Sequence, residues 1–462
     1  MNTLPKHVFC IGLGGVGVSG VAQLFFQRGI KVSGSDPNPN PLVEDLMKLG
    51  VAYYIDEDPR HITKDVDLVV FTDDTAPEHP MRRRATELGI NAENFSSALG
   101  QLMNTASQRI TIAGTNGKST TTALAGLLMA DAGLDPTVLV GSRVSEFNSN
   151  VRNGTDGTFV VEADEYRDHY LHYQPTIAVI TNIEADHLDY FGSVEKMLQS
   201  FEKYVALLPT DGKLVVNADD ERCVEIAKRI SSVITFGIHH DADLMAKSIS
   251  TGDGWQKWET LWKGELLGNF TLHLPGEFNI MNCLAAMATA IASGAEPKTF
   301  AATVDKFHGV WRRFQILNPG SPTTIVSDYA HHPIAVKATI EGAKAFFPGR
   351  RIVAVFQPHH RSRLTSLFDD FTKNFGAAET VLIVETYTVP GREVPEKNPK
   401  SSQNLVDALT KLNIDVHYVA SPEYLESALP ELLQPGDVAI IMGAGDIWRS
   451  AEKIAERFHG TT

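Results

Sequence analysis

A glycine-rich stretch at residues 112–122, IAGTNGKSTTT, has the residue types and spacing that suit phosphate chemistry. Its backbone amides can surround phosphate oxygens, Lys118 can bind the β- and γ-phosphates, and Ser119 can bind magnesium. The stretch matches the Walker pattern only in part, because Ile112 stands where that pattern has glycine. A strand, a Gly-Lys-Ser turn and a helix in succession still indicate a nucleoside triphosphate site.

Acidic residues follow two apolar strands downstream of this turn. Glu162 lies in VVEADEY and His187 lies in TNIEADHLDYF. Open α/β sheets bind ligands at the carboxyl ends of their strands, and magnesium prefers oxygen ligands. Glu162 and His187 are therefore candidate metal ligands, although His187 could instead orient its loop.

A second glycine motif, G-x-G-x-x-G, is formed by Gly12, Gly14 and Gly17 between a strand and a helix. Such a turn lets a diphosphate approach the helix N-terminus. Asp36 follows about 20 residues later, where a carboxylate can accept from a ribose hydroxyl. Alone, the motif suggests either a dinucleotide-dependent oxidoreductase or a tight turn in which glycine only serves packing.

Basic side chains gather in the last third of the chain. The segment VWRRF offers two adjacent arginines, one of which could bridge ATP phosphates to a reacting carboxylate. SDYAHHP and FQPHHRSR follow predicted strands and contribute Asp328, His331, His332, His359, His360, Arg361 and Arg363. Their spacing lacks a zinc pattern, so it suits an amino-acid carboxylate better than a metal, and the alternative is a solvated histidine-rich loop pair.

Strand-like and helix-length segments alternate along all 462 residues, which predicts parallel α/β layers in about three domains. We expect domains at residues 1–105, 106–316 and 317–462. Residues 255–274 alternate large apolar with polar side chains, which predicts a small antiparallel sheet in the second domain.

Composition excludes several classes of protein. The net charge of -15 argues against binding of nucleic acid, which needs clustered lysine and arginine. No apolar run reaches the roughly 18 residues of a membrane span, so we expect no membrane partner and a cytoplasmic protein. The three cysteines, Cys10, Cys223 and Cys283, are too far apart to indicate a disulfide framework or a zinc site.

An ordered set of motifs spreads over nearly the whole chain: GLGGVGVSG, VSGSD, GTNGKSTTT, EADE, TNIEADHLDYFG, PGEFNIMN, GVWRRF, DYAHHP, FQPH and GAGDI. This set resembles the Mur ligases. The resemblance implies a Rossmann-like N-terminal domain for a UDP-sugar, a central P-loop ATPase domain and a Rossmann-like C-terminal domain for an amino acid. It also implies peptidoglycan precursor synthesis, in which ATP and Mg2+ (or Mn2+) support the joining of L-alanine or another small amino acid to the lactyl carboxylate of UDP-N-acetylmuramate through an acyl phosphate.

The resemblance assigns roles by position within the matching motifs. ATP would be bound by Gly114, Thr115, Asn116, Gly117, Lys118, Ser119, Thr120, Asn279, Asn282, Arg313 and Asp328. The UDP-sugar would be bound by Gly12, Gly14, Gly15, Gly17, Ser35 and Asp36, and the amino acid by Tyr329, His331, His359 and Arg363. The metal would be held by Ser119, Glu162 and His187, and the candidate catalytic residues are Lys118, Glu162, His187 and Arg313.

The chain departs from the family pattern at a few positions. Asp73 and Asp74 stand where small hydroxyl residues are expected near the UDP, and His360 stands where alanine-adding members commonly carry arginine. Three alternatives remain open. They are a recycling ligase that adds a tripeptide to the same sugar, an NAD-dependent dehydrogenase, and a non-catalytic protein that binds a nucleotide-sugar.

Overall fold

The computed structural model describes residues 4–73, 75–388 and 399–458. These residues form three sheets of five, ten and six strands, with helices between the strands. The predicted α/β class with three sheet-based domains is therefore confirmed.

The first sheet is parallel and has the strand order β3-β2-β1-β4-β5. Its elements are β1 (His7–Ile11), α1 (Val16–Gln27), β2 (Lys31–Ser35), α2 (Pro41–Leu49), β3 (Ala52–Tyr54), β4 (Leu68–Phe71), α3 (Pro80–Glu87), β5 (Asn91–Asn94) and α4 (Phe95–Met103). Every residue of β1 is buried, as expected for a central strand covered on both faces.

The second sheet has the order β15-β14-β13-β12-β11-β10-β6-β9-β7-β8. Its elements are β6 (Gln108–Ala113), α5 (Lys118–Asp131), β7 (Thr137–Val144), β8 (Ser149–Arg152), β9 (Thr158–Glu162), β10 (Ile177–Ile180), α6 (Leu188–Phe191), α7 (Val194–Val205), β11 (Lys213–Asn217), α8 (Glu221–Ala227), β12 (Val233–Gly237), β13 (Leu244–Gly252), β14 (Trp255–Trp262), β15 (Glu265–Leu272), α9 (Glu277–Ala292) and α10 (Phe300–Lys306). β10, β6 and β9 are parallel neighbours.

The third sheet has the order β16-β17-β21-β18-β19-β20 and is parallel except for β16. Its elements are β16 (Gln315–Ile316), β17 (Thr324–Asp328), α11 (Pro333–Phe346), β18 (Ile352–Phe356), α12 (Arg361–Ser366), α13 (Phe368–Phe371), β19 (Thr380–Val384), α14 (Ser402–Lys411), β20 (Val416–Val419), α15 (Pro422–Leu432), β21 (Val438–Met442) and α16 (Ile447–Phe458). Two apolar clusters, each including side chains of β18, β19 and β21, form its core.

The strands at residues 255–274 extend the ten-stranded sheet instead of forming a separate one. The pairing of β12 with β13, at Phe236↔Leu244 and Gly237↔Met245, makes the sheet continuous. Buried and exposed residues alternate from Trp255 to Thr260 in β14, so one side of the strand is exposed as expected. Two of the three buried residues, Gln256 and Thr260, are polar, so the buried side is not the apolar side that the sequence predicts.

The described chain divides into two compact units. The first comprises residues 1–247, 259–270 and 278–305, and the second comprises residues 248–258, 271–277 and 306–462. The predicted domain limits at 105 and 316 stay a prediction. Among the described residues, no helix is both long and apolar enough to cross a membrane.

Candidate active site

The loops that follow three neighbouring strands of the ten-stranded sheet lie at one edge. β6 is flanked by β10 and β9, and all three are parallel, so their carboxyl ends coincide. The glycine loop at 114–117 follows β6, the EADE segment follows β9, and TNIEADH follows β10. Sheet order thus explains why motifs that are far apart in the sequence meet here.

Gly117 caps the N-terminus of helix α5 in a backbone conformation that favours glycine. Its φ is +85°, and a Cβ at this position would lie 2.1 Å from Oδ1 of Asn282. Asn282 in turn donates from Nδ2 to Oδ1 of Asn279 at 3.2 Å. The structure therefore brings Asn282 and Asn279 of α9, two residues predicted to bind ATP, against the glycine loop within the first unit.

The rest of the glycine loop is held by the loop after β10. The backbone N–H of Thr115 donates to the carbonyl of Asn182 at 3.0 Å, and that of Asn116 donates to Oδ1 of Asn182 at 2.9 Å. The Asn116 side chain also lies 3.3 Å from a carboxylate oxygen of Glu184. Thr120, one turn into α5, is buried at 8% exposure. These contacts fix the loop shape before any ligand arrives.

Lys118 points its ammonium back over the glycine loop. Nζ donates to the carbonyls of Gly114 at 2.7 Å and Thr115 at 3.3 Å, and it pairs with Oε2 of Glu165 at 2.9 Å. Burial opposes the charge on Lys118, but the carboxylates of Glu165 and its neighbours outweigh burial and raise the pKa of the lysine. The lysine therefore carries its positive charge at neutral pH, as a phosphate-binding group must.

Ser119 and Glu162 are in direct contact. The serine hydroxyl donates to both carboxylate oxygens of Glu162, at 3.0 and 2.9 Å. The backbone N–H of Gly141 in β7 donates to the same carboxylate at 2.6 Å and orients it. A hydroxyl and a carboxylate side by side form a donor set that magnesium accepts.

His187 belongs to a different group of donors. Ligand atoms of Asp164, Glu165 and His187 all lie within 4.8 Å of one another. The three predicted metal ligands thus fall into two groups, with Ser119 and Glu162 together and His187 beside Asp164 and Glu165. Oxygen donors predominate in both groups, which fits magnesium or manganese better than zinc.

The first glycine motif is organised by Asp36. Its carboxylate accepts from the backbone N–H of Gly14 at 2.8 Å and from that of Asn38 at 2.8 Å. Gly12 and Gly15 form the turn, with the N–H of Gly15 donating to the carbonyl of Gly12 at 3.0 Å. In this conformation Asp36 shapes the loop, in addition to any contact with a ribose.

Ser35 and Gly17 lie next to the same loop and are packed against apolar groups. Ser35 is fully buried, and its hydroxyl donates to the sulfur of Met81 at 3.3 Å. A Cβ at Gly17 would lie 2.6 Å from the ring of Phe95. Both positions therefore serve packing under the glycine loop.

The two arginines of WRRF have different surroundings in the second unit. Arg312 is buried, and its guanidinium donates to the carbonyl of Gly443 and lies over the Tyr329 ring. Burial lowers its pKa to about 10. Arg313 is exposed, with its guanidinium carbon 5.3 Å from the centre of the Tyr329 ring. Arg313 is thus the arginine that a ligand can reach.

Asp328 anchors the backbone around these arginines. Its carboxylate accepts from the N–H of Phe314 and from that of Ala330, each at 2.7 Å. Burial raises the pKa of this carboxyl. The contacts join the residues before β16 to the turn after β17.

The residues of the second unit that are predicted to bind the amino-acid substrate follow β17 and β18. They lie near one another because these two strands flank β21. The rings of His331 and His359 are 6.4 Å apart, and Nη1 of Arg363 lies 3.4 Å from Nδ1 of His359. Burial lowers the pKa of each histidine to about 4. Both histidines are therefore neutral at pH 7, whereas the neighbouring Arg361 is an exposed cation and Arg363 a half-buried one.

Three family models match successive parts of the chain. Residues 7–107 match the model described as "Mur ligase family, catalytic domain", residues 112–290 match the Mur ligase middle domain, and residues 312–445 match the "Mur ligase, glutamate ligase domain". The chain belongs to the Mur ligase family. The predicted family and ligase class are thus confirmed.

Two curated relatives and one solved structure that match the chain over nearly its full length are named as ligases of UDP-N-acetylmuramate and alanine. The UDP-N-acetylmuramate--L-alanine ligase of Clostridium tetani is 37% identical and matches over 97% of each chain. That of Clostridium novyi is 38% identical over 98% of this chain and 97% of its own. The crystal structure of the UDP-N-acetylmuramate-alanine ligase of Thermotoga maritima matches with a TM-score of 0.85 at 26% identity, over 99% of this chain and 100% of that one.

Several residues of this Mur ligase site were not selected from the sequence. Asp164 and Glu165 stand in the EADE motif, but their type alone does not tell which carboxylate turns towards Lys118. The residue types in WRRF do not distinguish Arg312 from Arg313, and only the family resemblance selects Arg313. Asp73 proves to be paired with His169, and hydrogen bonding from this histidine lowers the pKa of the carboxyl. Asp74 lies outside the described residues.

Proposed function

We propose that this Mur ligase uses ATP to join L-alanine to the lactyl carboxylate of UDP-N-acetylmuramate, in peptidoglycan precursor synthesis. The observation that carries the proposal is the charged Lys118 over the glycine loop. The next residue, Ser119, contacts Glu162 at the end of the neighbouring strand β9. The names and full-length coverage of the relatives support the choice of substrates.

Lys118 holds the γ-phosphate of ATP against the lactyl carboxylate. A carboxylate oxygen forms a bond to phosphorus, the bond from phosphorus to the bridging oxygen breaks, and ADP leaves. The chain's ammonium and loop amides stabilise the negative charge that spreads over the transferring oxygens. The product of this step is an acyl phosphate, in which a poor electrophile has become a reactive one.

Mg2+ or Mn2+ would be held by Ser119, Glu162 and His187, together with Asp164 and Glu165. When bound, the metal would neutralise charge on the phosphate oxygens. The carboxylates would hold it, and the backbone N–H of Gly141 keeps the Glu162 carboxylate in place. The sequence had suggested only Ser119, Glu162 and His187 for this role.

Arg363, His331, His359 and Tyr329 would receive the amino acid. The guanidinium of Arg363 suits its carboxylate, and neutral histidines can accept hydrogen bonds from its ammonium group. The ammonium group first loses a proton to solvent, and the resulting amine attacks the acyl carbon. The bond from carbon to the phosphate oxygen then breaks, the nitrogen gives its second proton to the departing phosphate, and an amide is left. Exclusion of water at this stage protects the acyl phosphate from hydrolysis.

Other assignments belong to the same proposal. They are ATP contacts for Arg313 and Asp328, UDP-sugar contacts for Gly12, Gly14, Gly15 and Asp36, a supporting position beneath the same loop for Gly17 and Ser35, and the domain limits 1–105, 106–316 and 317–462. A cytoplasmic location and the absence of nucleic acid partners are also part of it.

ADP formation tests the proposal against a panel of amino acids with UDP-N-acetylmuramate. We expect ADP only when ATP, the nucleotide-sugar and an amino acid are all present, with L-alanine preferred. ADP formation that requires the tripeptide instead would favour the recycling ligase. Binding of the sugar without any turnover would favour a non-catalytic protein.

A further inference from the structure

Asp73 lies beside the first glycine loop, because β4, which it follows, is the parallel neighbour of β1. Its carboxylate is bound by Nε2 of His169, from the segment after EADE. Nη1 of Arg167 donates to the Asp73 carbonyl at 3.1 Å. Asp73 departs from the family pattern by adding a negative charge here. His169 and Arg167, which belong to the same first unit, compensate this charge.

The opposite side of the His169 ring faces the candidate cation ligands. Nδ1 of His169 lies 4.0 Å from Oδ2 of Asp164 and forms no hydrogen bond with any residue that the structure describes. The His169 side chain is only 7% exposed, so water has little access to it. A buried, unsatisfied ring nitrogen is costly, and here it points towards one of the three ligands of the cation cluster. His169 thus stands between Asp73 and Asp164.

The segment that carries His169 is fixed in a strained backbone conformation. Arg167 and Asp168 have φ values of +54° and +57°, which residues other than glycine adopt at a cost of about 1 kcal/mol each. The Asp168 carboxylate accepts from the hydroxyls of Tyr190, at 2.8 Å, and Ser200. Strained segments persist where surrounding contacts determine them, and they cluster at functional sites.

A second contact joins His169 to the first glycine motif. The edge of the Phe95 ring meets the His169 ring with centroids 5.3 Å apart, and the same Phe95 ring packs against Gly17. The histidine is therefore connected to the glycine loop through packing as well as through Asp73. A movement of the loop after β4 would therefore be felt by His169 and, through it, by Asp164.

We propose that Asp73 and His169 are positioning residues that couple nucleotide-sugar binding at the first glycine loop to cation binding at Asp164, Glu165 and His187. The inference rests on the proposed function, since it takes UDP-N-acetylmuramate as the ligand of that loop. Coupling between two sites is reciprocal, so the cation strengthens sugar binding by the same factor as the sugar strengthens cation binding.

The test measures binding without ATP, so that no turnover occurs. Affinity for UDP-N-acetylmuramate is measured by calorimetry with and without Mn2+, and affinity for Mn2+ is measured by electron paramagnetic resonance with and without the sugar. In the wild-type enzyme each ligand is expected to tighten the other about fivefold or more. Asp73→Asn and His169→Gln should each remove this factor, and the double variant should lose no more than either single variant.

A matched pair of the same chemistry provides the control. Nδ1 of His7 lies 3.0 Å from a carboxylate oxygen of Asp65, and His7 is the first residue of β1, at the end of the strand away from the glycine loop. His7→Gln and Asp65→Asn should keep the mutual effect of sugar and Mn2+. Thermal unfolding of all variants verifies that they fold.

The inference is overturned if Asp73→Asn or His169→Gln keeps the wild-type coupling, or if the His7 and Asp65 variants lose it equally. A wild-type enzyme that forms ADP normally but binds the sugar equally well with and without Mn2+ also overturns it, while leaving the proposed function intact. Coupling that is present in an enzyme without ligase activity would support the inference and refute the proposed function.

Discussion

Lys118 and Glu165 form a buried ion pair in which Nζ lies 2.9 Å from Oε2, with the lysine side chain 13% exposed and the glutamate side chain 2% exposed. This pair occupies the lysine that we propose to bind the ATP phosphates. On this proposal, binding of the triphosphate replaces one anionic partner of Lys118 with another, so the same lysine contributes to both stability and chemistry.

Replacement of Lys118 should remove turnover. We expect Lys118→Gln to lower the rate of phosphate release at least about 1000-fold, because charge on the transferring phosphoryl group loses its ammonium partner. Calorimetry should find UDP-N-acetylmuramate affinity within about twofold of wild type, because the sugar is assigned to the first glycine loop. Unchanged turnover in this variant would remove Lys118 from the mechanism.

Replacement of Glu165 should destabilise the ligand-free enzyme. Glu165→Gln leaves the Lys118 ammonium buried without its counter-ion, which costs about 3 kcal/mol. Thermal unfolding should show a lower midpoint that a non-hydrolysable ATP analogue restores more strongly than in wild type. The exposed pair of Glu225 and Lys228 is the control, and Glu225→Gln should leave the midpoint unchanged. Equal effects of the two substitutions would contradict the buried role.

Replacement of Glu162 should affect the metal requirement. Glu162→Gln keeps the size of the side chain but removes the charge beside Ser119, so the Mg2+ concentration for half-maximal activity should rise about tenfold and kcat should fall. Glu184→Gln, in the loop that contacts Asn116, serves as the control. A normal Mg2+ requirement in Glu162→Gln would exclude this carboxylate as a ligand.

Arg363 and Arg361 provide a matched comparison for the amino-acid site. Arg363 lies beside His359, whereas Nη2 of Arg361 lies 3.7 Å from Glu385. Arg363→Ala should raise the KM for L-alanine about tenfold or more, through loss of a charge-assisted contact to its carboxylate, and Arg361→Ala should change it little. An effect of Arg363→Ala confined to the KM for ATP would argue against this assignment.

Two half-buried histidines, His331 and His359, predict how the stability of the enzyme changes in acid. Burial lowers the pKa of His331 and of His359 from 6.5 to about 4, so the unfolded chain binds more protons than the folded one between these values. Their contribution to the free energy of unfolding is complete above about pH 6.5 and decreases as the pH falls towards 4. Denaturant unfolding from pH 7 to 4 should show a shallower decline in His359→Gln than in wild type, and an equal or steeper decline would contradict this.

Much of this site can be predicted from the sequence because its motifs end strands of parallel sheets. GTNGKS and Glu162 follow strands that prove to be neighbours, so residue type and strand position suffice. The partner of Lys118 is a different case, since Glu162, Asp164 and Glu165 are equivalent by type. Only the backbone path after β9 decides that Glu165 turns inwards. The pairing of Asp73 with His169 joins distant segments and has no sequence pattern.

The strands at residues 255–274 also show what local sequence patterns cannot predict about the fold. Alternation along Trp255–Trp262 predicts an exposed face, which holds Lys257 and Glu259, but the buried face holds the polar residues Gln256 and Thr260 beside Trp258. It carries no information on which strand lies next in the sheet, because pairing depends on the short connection between β12 and β13. Local patterns thus predict elements better than they predict sheet order.

The central claim is that ATP activates the lactyl carboxylate, and isotope transfer tests it most directly. UDP-N-acetylmuramate labelled with 18O in that carboxylate is incubated with the enzyme, ATP, Mg2+ and L-alanine, and the released phosphate is examined by mass spectrometry. Activation as an acyl phosphate predicts one 18O atom in each phosphate released, together with the L-alanyl amide. Phosphate without the label, or no phosphate at all, would contradict the account.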